Sequence, residues 1–94
     1  MRIRWTDRFE DDYERLQFRL NNRKAFRKAF VGAVSILQKG DDLSVKYTVN
    51  RMVNRGPGWY VCYVMDDIAM TYKIVGQYIK LSRIGLTKDL GKEK

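Results

Sequence analysis

The fold is decided by one stretch of sequence, WYVCYVMDDIAMTYKIVGQYIKLSRIGL, which runs from Trp59 to Leu86. Its runs of aromatic and β-branched residues are interrupted by two short polar or glycine-containing breaks, a pattern typical of strands joined by tight turns. The stretch therefore predicts an antiparallel meander. We expect strands over Trp59–Val64, Ile68–Ile74 and Tyr78–Ile84, with turns at residues 65–67 and 75–77.

Two helices are predicted before this stretch. Apolar residues recur at helical spacing from Phe9 to Leu20, behind Thr6 or Asp7 as the N-terminal cap. After the break at Asn21-Asn22 a second helix repeats apolar residues from Phe26 to Leu37. Gly40 follows as a stop, because glycine readily adopts the left-handed conformation found at helix ends.

The remaining segments complete a single α+β domain over residues 1–94. Met1, Ile3 and Trp5 alternate with arginines, which predicts a short first strand. Residues 43–55 are expected to form a loop or a short strand, and residues 88–94 a frayed tail. We predict two N-terminal helices packed on one face of a small antiparallel sheet, mixed where the N-terminal strand joins it. The other face is left for a ligand.

The charge of the chain points to an anionic partner. The formal net charge is +8 and the pI is about 9.8, values that draw a protein toward polyanions such as nucleic acid. Five of the acidic residues fall in the first predicted helix, so the second half is the cationic half. No apolar run approaches the roughly 18 residues of a membrane span, and the N-terminal stretch MRIRWTDRFEDD lacks the apolar segment of a signal peptide. We therefore expect a cytoplasmic protein.

The sequence excludes several kinds of chemistry. It contains one cysteine, Cys62, and no histidine. Cysteine–histidine catalysis and histidine metal sites are therefore excluded, and no metal or cofactor is expected. Cys62 lies in an apolar aromatic run, which favours an inert buried thiol.

Basic and tyrosine residues are interleaved through the second half of the chain. Arginine can bind phosphate with two donors, and tyrosine can stack on a base, so the mixture suits single-stranded RNA. Taken one at a time, the same residues would ordinarily be solvated surface or core packing. The candidate RNA- or phosphate-binding residues are Lys46, Arg51, Arg55, Lys73 and Lys80.

Four segments in order resemble the RelE/ParE toxin superfamily, and most closely its YafQ-like branch. The segments are Tyr47–Asn50, Gly58-Trp59, Asp67–Ile74 and Leu81–Thr87. The resemblance implies a RelE-like fold and the toxin of a type II toxin-antitoxin system, partnered by an antitoxin. It further implies a ribosome-dependent endoribonuclease, which cuts messenger RNA in the A site by attack of a 2′-hydroxyl on the scissile phosphate and arrests growth.

The resemblance also implies a set of site residues, with one departure. The three positions at which YafQ-like toxins carry histidines fall on Asn50, Tyr63 and Thr87, while the family's aspartate and arginine are kept at Asp67 and Arg83. A histidine-free site can still act through phosphate neutralisation, as other RelE toxins do. Arg83 is the strongest candidate, since a strand arginine near the sheet edge has little evident structural role.

Each expected role has an ordinary alternative. On the catalytic hypothesis Arg83 and Arg51 clamp the phosphate, and Lys46 or Lys80 neutralises charge. Asp67 is a base or an orienting group, and Tyr63 or Tyr72 passes a proton. Alternatively, Asp67 serves the turn, Thr87 caps the tail and Tyr72 packs in the core.

Two other functions stay open at this point. The chain could be a non-catalytic toxin or binding module, either a ParE-like inhibitor of DNA gyrase or a degenerate relative that binds only its antitoxin, and the missing histidines favour this. It could also be a plain nucleic-acid binder, whose affinity would fall steeply with salt.

Overall fold

The computed structural model describes residues 1–90, which form one five-stranded sheet and three helices. Two 3₁₀ turns, at Leu43–Val45 and Val53–Arg55, flank the second strand. In chain order the elements are β1 (Arg2–Trp5), α1 (Asp7–Arg19), α2 (Arg23–Gln38), β2 (Thr48–Arg51), β3 (Trp59–Met65), β4 (Ile68–Val75), β5 (Tyr78–Leu86) and α3 (Thr87–Leu90).

The strand order is β1-β5-β4-β3-β2. Strands β2 to β5 pair antiparallel with their neighbours in sequence, as tight turns require, whereas β1 pairs parallel with β5. The predicted meander and the mixed sheet at the N-terminal strand are both confirmed. Each meander strand begins at the predicted residue and runs one or two residues further than predicted.

Local signals start and stop the helices. The Thr6 hydroxyl accepts the Phe9 N–H at 3.0 Å, and the Asn22 side chain accepts the Ala25 N–H at the same distance. Gly40, at φ 74°, follows the end of α2 in the left-handed region. These predicted ends are confirmed.

The prediction of a frayed tail from Lys88 onward is wrong for Lys88–Leu90. These residues belong to α3, in which Asp89 accepts a hydrogen bond from Arg19 at 3.0 Å and Leu90 packs beside Gly85. Residues 91–94 of the predicted tail lie outside the described residues.

The helices cover one face of the sheet. Phe9, Phe26 and Phe30 of α1 and α2 stack on one another and pack with strand residues such as Met70 and Leu81, all of them buried. Because side chains alternate along a strand, the intervening residues lie on the opposite face. No helix within residues 1–90 is long and apolar enough to cross a membrane.

Candidate nucleic-acid interface

The sheet face opposite the helices, here called the open face, carries three rows of residues in cross-strand register. The register places directly opposite residues on the same side of the sheet. The first row is Arg4, Lys80, Lys73 and Trp59; the second is Arg83, Thr71, Val61 and Asn50; the third is Gly85, Ala69, Tyr63 and Thr48.

The first row, here called the cation row, carries three positive side chains and has the indole of Trp59 at one end. The Arg55 guanidinium lies 4.2 Å from the centroid of the Trp59 ring, and the ammonium groups of Lys73 and Lys80 lie 5.7 and 5.6 Å from it. At the other end the Arg4 guanidinium lies 4.8 Å from the Tyr78 centroid. Cations at these distances are attracted by the ring faces, which holds them over the sheet.

The second row crosses the centre of the open face. Thr71 is 5% exposed, and its hydroxyl oxygen is buried with no hydrogen-bond partner among residues 1–90. An unsatisfied buried hydroxyl costs about 1–3 kcal/mol. This Thr71 hydroxyl lies in the second row between Val61 and Arg83, next to the cationic first row.

Arg83, the strongest candidate from sequence, has a structural partner that the sequence did not reveal. The register of β5 against β4 shifts by one residue at Ser82, next to Arg83. The Arg83 guanidinium donates to Asp12 of α1 through Nε at 2.6 Å and Nη2 at 3.3 Å. The expectation that Arg83 lacks a structural role is therefore wrong.

Asp12 also accepts a hydrogen bond from the part of β5 that has no neighbouring strand on one side. Strand β1 ends at Trp5, so the second half of β5 has no strand neighbour on that side, and α1 covers it instead. The Ile84 N–H donates to Asp12 Oδ2 at 3.3 Å. A carboxylate that is 7% exposed thus replaces a missing strand partner and fixes an arginine beside the open face.

The third row has small residues at its centre, Ala69 and Gly85, beside the ring of Tyr63. Small side chains at these two positions leave a shallow floor, which Leu90 of α3 bounds on the Gly85 side. Asn50 and Tyr63, two of the three positions where the resembled toxins carry histidines, lie in neighbouring rows of this face. The structure places both residues on the same face as Arg83, with Asn50 three strands and Tyr63 two strands away from it.

Asp67 and Thr87 lie together at one end of the sheet. The Thr87 N–H donates to the Asp67 carbonyl at 2.9 Å, next to the turn between β3 and β4. Asp67 is four residues along the chain from Thr71, about 13 Å at the usual rise of a strand. The structure records no hydrogen bond or ion pair between the carboxylate of Asp67 and Arg83.

Tyr72 and Arg51 do not lie on the open face. Tyr72 is 3% exposed and stacks on Tyr60 in the core at 5.6 Å, and burial raises the pKa of its phenol above the ordinary value. Arg51 alternates with Asn50 and so lies on the opposite side of β2. The predictions of Tyr72 as a proton carrier and of Arg51 as a clamp beside Arg83 are therefore wrong in geometry.

The other predicted cations divide between the two ends of the sheet. Arg55, Lys73 and Lys80 gather around Trp59. Lys46 is exposed at the end of the first 3₁₀ turn, before β2 begins and outside the three rows.

Sequence reasoning missed Arg4, Thr71 and Asp12. In the sequence, Arg4 is only one of the polar residues that alternate with apolar residues in β1. Its place in the cation row depends on which strand β1 pairs with. Thr71 lies in a strand whose two faces are both largely apolar, so its side of the sheet could not be assigned. Asp12 carries no sequence signal, because its partner is 71 residues away.

No protein-family model matches the sequence, and no curated protein matches it. Solved structures do resemble the chain. A chain of the E. coli DinJ–YafQ complex has a TM-score of 0.80 at 18% identity, covering 96% of this chain and 98% of that chain. A metal-bound toxin from Helicobacter pylori has a TM-score of 0.79 at 20% identity with the same coverage. A chain of the RelB–RelE antitoxin–toxin complex from Methanococcus jannaschii has a TM-score of 0.73 at 13% identity, covering 96% of each chain.

These neighbours show that the chain has the RelE/ParE-like toxin fold, as the resemblance in its sequence implied. The two helices on a mixed five-stranded sheet are the common architecture. The Helicobacter toxin is metal-bound. In the present chain, residues 1–90 contain no group of three or more His, Cys, Asp or Glu side chains that could hold a metal ion.

Proposed function

We propose that the protein is the toxin of a type II toxin-antitoxin system and acts in the cytoplasm as a ribosome-dependent endoribonuclease. The observation that carries the proposal is a RelE/ParE-like fold whose open face carries cations, a tyrosine and an amide. The fold supports the toxin assignment, and the cationic face supports an RNA substrate.

The proposed reaction transfers the scissile phosphoryl group within the RNA. The 2′-oxygen forms a bond to phosphorus, the bond from phosphorus to the 5′-oxygen breaks, and the products are a 2′,3′-cyclic phosphate and a 5′-hydroxyl. The 2′-hydroxyl loses a proton to a base, and the leaving oxygen gains one from an acid. Negative charge on the phosphoryl oxygens needs cations nearby in the transition state.

We assign these tasks to two parts of the face. Arg83 is the proposed phosphate ligand, because Asp12 fixes its guanidinium next to the central row. Tyr63 and Asn50 are the proposed proton donor and orienting amide. Asp67 lies too far from Arg83 to bind the same oxygen, so its proposed task is to accept the 2′-proton or to orient the ribose, with Thr87 beside it.

An antitoxin is the proposed protein partner. The similar structures include complexes of a toxin with an antitoxin. An acidic or amphipathic segment of such a partner would neutralise the cation row and cover the open face. We would look for its reading frame next to that of the toxin.

Primer extension on cellular messenger RNA after induced expression tests the proposal. We expect cuts at codon-linked positions within minutes, together with arrest of translation. Asn50→Ala and Tyr63→Phe should reduce the cuts strongly without unfolding the protein, whereas Lys24→Ala on the exposed side of α2 should leave them unchanged. Expression that arrests growth without cleaving messenger RNA would refute the ribonuclease assignment.

A non-catalytic toxin is the second candidate function. The absence of histidine favours it because histidine is the usual proton-transfer group, and the engagement of Arg83 by Asp12 favours it because the bond occupies donors that a phosphate would need. A gyrase inhibitor would cause loss of DNA supercoiling and DNA-damage signalling instead of messenger cleavage. A relative that binds only its antitoxin would cause neither.

A further inference from the structure

The positive side chains around Trp59 repel one another, and this repulsion destabilises the fold. Lys73 and Lys80 face each other directly across β4 and β5, and Arg4 faces Lys80 across β5 and β1. Like charges directly opposite each other destabilise a sheet. None of the three makes an ion pair with any acid in the described part of the chain, so the repulsion is not offset from within.

Ordinary solvated lysines do not account for this arrangement. Lys73 and Lys80 are half-buried, and their ammonium groups converge on the same indole from neighbouring strands. Arg55 reaches the same ring from the loop before β3. The indole therefore holds three positive charges close together. Without it, the two lysine side chains would extend into water and move apart.

The loop that carries Arg55 is fixed by a close backbone approach. Gly58 lies at φ 85°, its carbonyl accepts the Ile74 N–H at 2.9 Å, and a Cβ at this position would lie 3.1 Å from the Ile74 carbonyl oxygen. Glycine is needed here on both counts. The position of Arg55 over Trp59 is thus held by the register of the sheet.

The ring geometry discriminates between two kinds of ligand. A base would need an uncovered indole face on which to stack, but the Arg55 guanidinium already lies 4.2 Å from the ring centroid. Phosphate oxygens instead need several fixed donors at one place, which is what Arg55, Lys73 and Lys80 supply. The chemistry therefore favours a phosphodiester backbone.

The cation row lies beside the proposed reaction centre without including it. Lys73 is two residues along β4 from Thr71, and therefore about 7 Å from the Arg83 row. The row crosses from β3 to β1, about 14 Å at the usual spacing of strands. It therefore runs across the strands beside the row that contains Arg83.

We propose that Trp59, Arg55, Lys73, Lys80 and Arg4 form a separate subsite that binds the backbone phosphates flanking the scissile one in single-stranded RNA. The identity of the polyanion rests on the proposed function, whereas the subsite rests on the geometry of the cation row. Trp59 is a positioning residue in it, which acts through the cations it holds.

Salt-dependent binding of a noncleavable RNA tests the subsite in the full-length chain. The probe is a fluorescein-labelled 2′-O-methyl uridine ten-mer, measured by anisotropy over a range of salt concentrations. Each lost phosphate contact lowers the slope of log affinity against log salt by about 0.7 for single strands. We expect Lys73→Gln with Lys80→Gln to lower the slope by about 1.4.

The matched control removes the same charge from the helical face. Lys24→Gln with Lys28→Gln, at two exposed positions of α2, should leave the slope almost unchanged. Trp59→Phe keeps every charge, and it should weaken binding roughly two- to fivefold by loosening the cations. Equal slopes for the two double variants, or no binding of the probe by the parent protein, would overturn the subsite.

The outcome separates the subsite from the proposed function. A protein that binds the ten-mer with the expected slopes but never cuts messenger RNA keeps the subsite and loses the ribonuclease assignment. A protein that cuts messenger RNA but has the same slope with and without Lys73 and Lys80 keeps its activity assignment and loses the subsite.

Discussion

Asp12 and Arg83, 71 residues apart in sequence, form a largely buried ion pair that joins α1 to the edge of β5. The side chain of Asp12 is 6% exposed and that of Arg83 is 16% exposed. The pair therefore links the packing of a helix to the position of a guanidinium beside the open face. Its removal should affect both stability and any reaction at that face.

Asp12→Ala should lower the free energy of unfolding by about 3 kcal/mol, because it removes the Asp12 acceptor of the largely buried Arg83 side chain and of the Ile84 N–H. Urea denaturation measures the effect. Asp11→Ala, at an exposed neighbouring position, should change stability by no more than about 0.5 kcal/mol. A double variant, Asp12→Leu with Arg83→Met, should lose less than Asp12→Ala alone, and a larger loss would contradict the pairing argument.

Thr71→Val should raise stability by about 1 kcal/mol, because valine keeps the shape of threonine and removes the unpartnered hydroxyl. Thr48→Val, at an exposed position of the same face, serves as the control and should change stability little. If the Thr71 hydroxyl contacts RNA, the same variant should also cut messenger RNA more slowly. A Thr71→Val protein less stable than the parent would show that the hydroxyl has a partner in solution.

Tyr72→Phe and Tyr63→Phe should differ in their effects on cleavage. The Tyr72 ring lies in the core against Tyr60, so the loss of its hydroxyl should leave the cleavage rate within about twofold. Tyr63 lies on the open face, and the loss of its hydroxyl should slow cleavage by tenfold or more if it donates a proton. Equal effects of the two variants in a primer-extension assay would count against this division.

Stability should fall as the pH rises from about 9. Burial raises the pKa of the Cys62 thiol to about 12, and it also raises the pKa of the Tyr47 and Tyr72 phenols. The folded state therefore keeps protons that the unfolded state releases. The Cys62 thiol costs up to about 1.4 kcal/mol per pH unit above about pH 9, and the buried Tyr72 phenol acts in the same direction only above about pH 10. Urea denaturation at pH 7, 9 and 10.5 checks the slope, which Cys62→Ala should reduce.

The thiol itself provides a second readout of the same burial. Cys62 should react with an alkylating reagent at pH 8 only after denaturation, since the reactive thiolate is absent from the folded protein. Rapid alkylation of the native protein would contradict the packing of Cys62 in the core.

The elements could be predicted because their signals are local. Thr6 and Asn22 cap helices within three residues of themselves, and the breaks at residues 65–67 and 75–77 mark turns. The fold class followed from the order of those elements. Which side of β4 faces the helices did not follow, because both Tyr72 and Thr71 belong to an almost continuous apolar run.

The candidate site was harder to predict, because it depends on pairings between distant segments. The register shift at Ser82 and the carboxylate of Asp12 determine where Arg83 lies, and neither can be found by periodicity. The cation row likewise gains its fourth member only because β1 joins β5, which places Arg4 beside Lys80. The sequence did not reveal that Arg51 and Tyr72 lie away from the open face.

The parallel pairing of β1 with β5 sets the time at which the protein can first act. Thr6 at the end of β1 donates to Ser82, 76 residues later, so the sheet and the cation row stay incomplete until almost the whole chain has been synthesised. At about 5–20 residues per second, translation takes several seconds to deliver that partner strand. Nascent chains that end before β5 lack the complete cation row, and the proposed antitoxin has the same interval in which to bind the unfinished chain.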